Sequence, residues 1–243
     1  SLAWSPTTPE IAVAKFGGVG EDFGRAIAVD SSGNIYTTGH FSGTVDFDPG
    51  AGTTNLTSAG GNDVFVSKLN SAGELVWVKK FGGTGNDMGY SVAVDSSGNV
   101  HTTGFFSETV DFDPGAGTEN LTSSPTGWTD VFVSKLNSTG AFVWAKRFGA
   151  DSAERGYSIA VDSSGNVYTT GIFMNFVDFD PGAGEFILSG RSFVSKLNSL
   201  GAFVWAVSLE ESSSDSVAVD SSGNVYTTGH FSGTVDFDPG AGT

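Results

Sequence analysis

All-β, in a repeated four-stranded form, is the fold class this sequence predicts, and three observations carry it. First, near-identical stretches recur: "AVDSSGN" begins at Ala28, Ala93, Ala160 and Ala218, at steps of 65, 67 and 58 residues, and "FVSKLNS" begins at Phe65, Phe132 and Phe193. A period of several tens of residues marks solenoids, propellers or arrays. Second, apolar residues inside each unit alternate with period 2 and nowhere follow the i, i+3, i+4, i+7 pattern over a helical length. Third, the runs are rich in β-branched and aromatic residues, which suit a pleated, half-buried surface.

Each unit reads as the same four strands. "AIAVD" passes through "SSG" into "NIYTTGHF", a hairpin of strands a and b in which Gly33 supplies positive φ. "DVFVSKL" sets Val64, Val66 and Lys68 against Phe65, Ser67 and Leu69 as strand c. The turn "NSAG" then leads into strand d, "ELVWVKKF", where Leu75, Trp77 and Lys79 alternate with Val76, Val78 and Lys80. Between b and c lies an insert that opens on "VDFDPGAGT" at 45–53, 110–118 and 235–243, and on "VDFDPGAGE" at 177–185.

Antiparallel four-stranded units with glycine-rich connections predict the blades of a β-propeller, since the strand spacing of a sandwich would not recur so regularly. The expected organisation is one propeller segment over 1–243. Residues 1–25 form the end of a preceding blade, 26–89, 90–156 and 157–214 three blades, and 215–243 a partial blade holding strands a and b. Because "IAVAKFGG" matches the end of a strand d and the fourth unit stops after its strand b, an incomplete ring is expected. Its open edges would be covered by other copies or by the remainder of a longer chain.

Composition limits the function. The 243 residues are 38% hydrophobic with no transmembrane-length apolar run, enough to bury a core in water. Eleven Lys and Arg against 27 Asp and Glu give a net charge of −16, which repels nucleic acid and anionic membranes and attracts cations. Cysteine is absent, so disulfides, thiolate nucleophiles and zinc-thiolate sites are excluded together. "SLAWSPTTPE" has no charged segment followed by an apolar one, so an export signal is expected to have been removed or to lie outside this stretch.

The motifs "GYSIAVDSSGNVYTTGIF" and "DVFVSKLNSTGAFVWAKRFG", with the "VDFDPGAGT" insert, resemble the bacterial SBBP (seven-bladed beta-propeller) repeat family from about Ile11 onward. What the resemblance implies is a propeller on secreted or cell-surface bacterial proteins, often large and multidomain, with no catalytic residue assigned to the repeat.

Candidate sites start with the insert. Period 2 puts Val45 and Phe47 on one face and Asp46 and Asp48 on the other. Two adjacent carboxylates suit calcium, which takes six to eight oxygens in a flexible shell. The same pattern holds for Asp111 and Asp113, Asp178 and Asp180, and Asp236 and Asp238. The competing reading is a turn, with Pro49 and Gly50 at its centre and Asp48 accepting amides at its start. Asp63 and Asp130 could add a further metal ligand, but the third unit holds Arg191 at that position. Asp30, Asp95, Asp162 and Asp220 read as hairpin-turn residues. Trp77, Trp144 and Trp205 read as packing between blades, while Trp128, in the longest insert, is a candidate ligand contact. His40 and His230 share one position, and His101 replaces a Tyr; all read as packing or surface variants.

No Gly-x-Ser-x-Gly elbow, His-Glu-x-x-His or phosphate loop occurs, and the acids recur on every unit where catalysis would single out one. The expectation is a non-catalytic, extracellular or cell-surface scaffold for adhesion or assembly, stabilised by calcium. A carbohydrate-binding module is the alternative, and a glycosidase, which needs two carboxyls at a set separation, comes third.

Overall fold

The computed structural model describes residues 13–124, 128–209 and 212–234. A short strand β1 (Gly17–Gly18) precedes β2 (Asp22–Val29), β3 (Ile35–Phe41), the small arm β4 (Thr44–Asp46) and β5 (Asn55–Thr57), then β6 (Asp63–Leu69) and β7 (Leu75–Phe81). The second unit repeats this as β8 (Met88–Val94), β9 (Val100–Phe106), arm β10 (Thr109–Asp111) and β11 (Asn120–Thr122), β12 (Asp130–Leu136) and β13 (Phe142–Phe148). The third has β14 (Arg155–Val161), β15 (Val167–Ile172), arm β16 (Phe176–Asp178) and β17 (Ile187–Ser189), β18 (Ser192–Leu197) and β19 (Phe203–Leu209). The fourth shows β20 (Ser212–Val219) and β21 (Val225–Phe231). No helix occurs among the described residues.

Three four-stranded antiparallel sheets result, ordered β2-β3-β6-β7, β8-β9-β12-β13 and β14-β15-β18-β19, followed by the β20-β21 hairpin. These are the strands a to d expected of propeller blades. The first strands of the units, β2, β8, β14 and β20, each pack against the next, so they form the inner layer. Each inner strand starts two to four residues before the expected boundaries at 26, 90, 157 and 215. The cause is a β-bulge. The pairing register slips at Gly24/Ala26, Gly89/Ser91, Gly156/Ser158 and Ser214/Ser216, so the apolar alternation visible in the sequence begins only beyond it.

The turns explain the repeated polar letters. Asp30 Oδ1 accepts the amides of Ser32 and Asn34, each at 2.9 Å, and Oδ2 accepts Asn34 Nδ2 at 2.8 Å and the Tyr36 hydroxyl at 3.0 Å. Gly33 has φ 79°, which a side chain would strain. Asn70, Asn137 and Asn198 hold the c–d turns in the same manner.

Neighbouring units are clasped. The Trp77 indole donates to the Ser138 carbonyl at 3.3 Å and Trp144 to that of Ser199 at 3.2 Å, in each case on the c–d turn of the next unit. The repeated Trp therefore joins blades, as its apolar flanks suggest.

Candidate functional site

The arms come first, because four copies of one acidic motif invite a binding role. β4 pairs with β5 over three residues, placing Val45 and Phe47 in the core and Asp46 and Asp48 on the outer side. Phe47 packs on Phe41 at 5.3 Å and Phe65 at 4.9 Å, and also on Phe16 at 5.8 Å. Its counterpart Phe112 meets Phe106, Phe132 and, from the preceding sheet, Phe81 at 5.5 Å. Phe179 repeats the arrangement with Phe173, Phe193 and Phe148. Each arm is thus an aromatic wedge across the seam between two units. The backbone adds a stitch: Gly17 and Gly18 pair with Asp46 and Val45, and Gly82 with Asp111.

The carboxylates serve this turn. Asp46 Oδ1 accepts the amides of Asp48 at 3.0 Å and Thr54 at 2.8 Å, which hold its carboxyl below the usual range, and Asp48 Oδ1 accepts Gly50 N at 2.8 Å. Asp111 and Asp113, and Asp178 and Asp180, repeat these bonds. The second oxygen of each first Asp accepts no hydrogen bond among the described residues and could face an ion. Only two carboxylates meet there, and among the described residues no group of three or more acidic or His side chains gathers. Asp236 and Asp238 lie outside the described residues.

Asp63 and Asp130 are fully buried and tied to cations of their own sheet. Asp63 accepts Lys80 Nζ at 2.9 Å and the Ala59 amide at 3.0 Å, and Asp130 accepts Arg147 Nε. Both press on a glycine backbone: a Cβ on Gly82 or Gly149 would fall within about 2.2 Å of the carboxyl carbon. Beyond those glycines stands a second buried acid that the sequence reading did not single out. Asp87 accepts Gly83 N at 2.9 Å and Ser107 N at 3.0 Å, and Glu154 accepts Ala150 N at 3.3 Å. Burial pushes both up to about 7, the nearby Asp63 and Asp130 add to the rise, and the amides oppose it. The signal was present: Asp22, Asp87 and Glu154 share one repeat position. The last seam loses the whole set together, with Arg191 at the position of Asp63, Ser208 at that of Lys80 and Ser212 at that of Asp87. A cavity of about 810 Å³ opens at this last seam, lined by Arg191, Asn175, Tyr157 and His230.

The inner face behaves differently from the arms. The a–b hairpins are almost letter-identical from Ala28 to Gly39, yet they diverge in chemical class at three positions. These are Phe23, Met88, Arg155 and Ser213; the bulge residues Arg25, Tyr90, Tyr157 and Asp215; and His40, Phe105, Ile172 and His230. They touch one another. Phe23 stacks on His40 at 5.0 Å, Tyr90 lies 5.6 Å from Phe105, Tyr157 lies 5.7 Å from Tyr90, and His230 Nδ1 lies 3.2 Å from Asp215 Oδ2. Gly89 and Gly156 permit this closeness, since a Cβ there would meet Thr38 or Thr103 Oγ1 at 2.5 and 2.2 Å. Trp128 is 49% exposed and outside both arrangements.

Three segments, 14–40, 76–104 and 143–171, match the family model SBBP, described as a beta-propeller repeat. The second and third run from strand d of one unit through the a–b hairpin of the next, and the first spans β1 and the β2–β3 hairpin. Among curated proteins, the chain is 27% identical over 221 residues to an uncharacterized WD repeat-containing protein, L264, of Acanthamoeba polyphaga mimivirus. It is 30% identical over 150 residues to the regulatory protein FlaEY of Caulobacter vibrioides. These alignments take in 79% and 60% of the chain but only 16% and 15% of the relatives, so the chain spans about a sixth of their length.

Proposed function

Since the chain carries SBBP β-propeller repeats, we infer that it works as a non-catalytic protein-interaction scaffold, in adhesion or assembly outside the cell or on its surface. One observation carries this reading. Every repeated acid among the described residues is engaged in a turn, a seam or an ion pair, whereas the inner face changes chemical class from unit to unit, as suits a rigid frame that presents a variable surface. The WD-repeat name of one relative supports a scaffold in general terms. A photo-crosslinking residue at Tyr157 is expected to capture a protein partner from the cells that make the chain, and one at the exposed turn residue Ser96 is not. Hydrolysis of a polysaccharide by the purified chain, lost on changing one unrepeated acid, would overturn the reading.

Calcium at the Asp-Phe-Asp-Pro-Gly turns belongs to the same proposal, with the second oxygens of Asp46 and Asp111 as its donors alongside Asp48 and Asp113. At extracellular affinities of order 0.1 to 1 mM, ion at ten times Kd would add about 1.4 kcal/mol per site. Chelation by EDTA is expected to lower the thermal midpoint of the wild type and not that of Asp46→Asn/Asp48→Asn; an unmoved wild-type midpoint removes the ion. Exposed Trp128 favours a second reading, a carbohydrate-binding module. Glycan binding that vanished on Trp128→Ala would establish it.

A further inference from the structure

We propose that the divergent inner face binds a short, carboxylate-rich peptide segment of a partner protein. The inference rests on the scaffold reading and names the surface and partner for it. Its first support is a pair of guanidiniums on this face that meet no carboxylate among the described residues. Of the 11 bases, Lys80, Arg147 and Lys135 reach a carboxylate, the last at 3.9 Å from Asp95. Arg25 and Arg155 take none among the described residues, and Arg155 Nε, though buried, has no hydrogen-bond partner.

Geometry is the second support. Both guanidiniums are laid on rings: Arg25 lies 5.3 Å from the centre of Phe23 and 5.4 Å from that of Tyr90, and Arg155 lies 5.1 Å from that of Phe105. Tyr90 and Phe105 are themselves 5.6 Å apart, so the two cations flank one aromatic pair. A stacked guanidinium is held in plane, a posture that suits a carboxylate received through two parallel hydrogen bonds. Arg155 also meets the Tyr157 hydroxyl, so Arg25, on an exposed side chain, is the more open of the two. Sugar recognition would need open ring faces, and here guanidinium covers them. Asp215, held by His230 and the Ser213 hydroxyl at 2.8 Å, closes the far end of the row against further anions and so orients the peptide.

The net charge of −16 opposes an acidic partner at long range, but at about 0.15 M salt that repulsion is screened beyond roughly 8 Å while close pairs persist. A fluorescein-labelled hexaglutamate peptide, titrated by anisotropy at that ionic strength, is expected to bind saturably. Arg25→Gln/Arg155→Gln should weaken binding at least about tenfold, whereas Arg191→Gln, at the last seam, should leave it unchanged. Thermal unfolding checks the double variant; should it fail to fold, Arg25→Gln alone, on an exposed side chain, carries the test. No saturable binding, binding indifferent to both arginines, equal binding of hexalysine, or tighter binding of hexagalacturonate would each overturn the proposal. A partner captured at Tyr157 with no hexaglutamate binding would overturn it and leave the scaffold standing.

Discussion

His101 weakens a hydrogen bond that the other units make with a Tyr. Its counterparts Tyr36 and Tyr168 reach Asp30 and Asp162 at 3.0 Å, whereas His101 Nε2 stands 3.4 Å from Asp95 Oδ2 and its buried Nδ1 has no partner. Burial lowers its basicity, with Asp95 pulling the other way. The spacing to the neighbouring Trp is alike: His101 lies 6.2 Å from Trp144, and Tyr36 lies 6.4 Å from Trp77. His101→Tyr should therefore stabilise the chain by about 1 kcal/mol in urea unfolding. Asp46 gives a second test. Its Oδ1 holds two amides, so Asp46→Ala should cost about 1–3 kcal/mol while Asp46→Asn, which keeps that oxygen, costs little. Equal losses for the two would mean that charge rather than the turn matters. At this scale the sequence was informative, because period 2 alone put Val45 and Phe47 inward and the two Asp outward. It could not show that Phe112 wedges against Phe81, a contact between units that local spacing does not encode.

At the scale of elements, the seams carry the pH response. The folded chain holds protons on Asp87 and Glu154 up to about 7, while an unfolded chain releases them near 4, so folding stability contributed there falls as pH rises from about 4 to about 7 and is level above. Buried His40 and His101, whose pKa values lie below 6.5, act in the opposite sense. The difference between Asp87→Asn and wild type isolates the acid: the variant should gain on wild type between pH 5 and 7, at up to about 1.4 kcal/mol per pH unit. A pH-independent difference would place the Asp87 proton outside this range. Repeat counting found the strands and the Asp turns, but the bulges escaped it. A bulge shows as a slip of pairing between strands, and Arg25 or Tyr90 carries no letter that announces one.

On the scale of the whole chain, both ends of the described array expose apolar side chains, Tyr226 and Phe231 on β21 at 58% each. Ile27 is 68% exposed on β2, while its counterparts Val92, Ile159 and Val217 are only 5–6% exposed because a preceding unit covers them. Another blade, from a second copy or from adjoining chain, would cover Ile27 in the same way. Light scattering of the 25.0 kDa chain should then give a mass above the monomer, and Ile27→Lys should reduce it. A monomeric mass for the wild type would remove the second copy from consideration.

The Trp-to-turn clasp has a further consequence for how such a chain can change length. Because Trp77 and Trp144 grip the same backbone carbonyl of the following unit, the joint asks for nothing that differs between the first two seams. A spliced second copy of residues 88–154 should fold in register, as a cassette that lengthens the array without redesign. The last seam, with Arg191 and Ser208 in place of the acid and its cation, lies outside that interchangeability and keeps its unit at one address in the series.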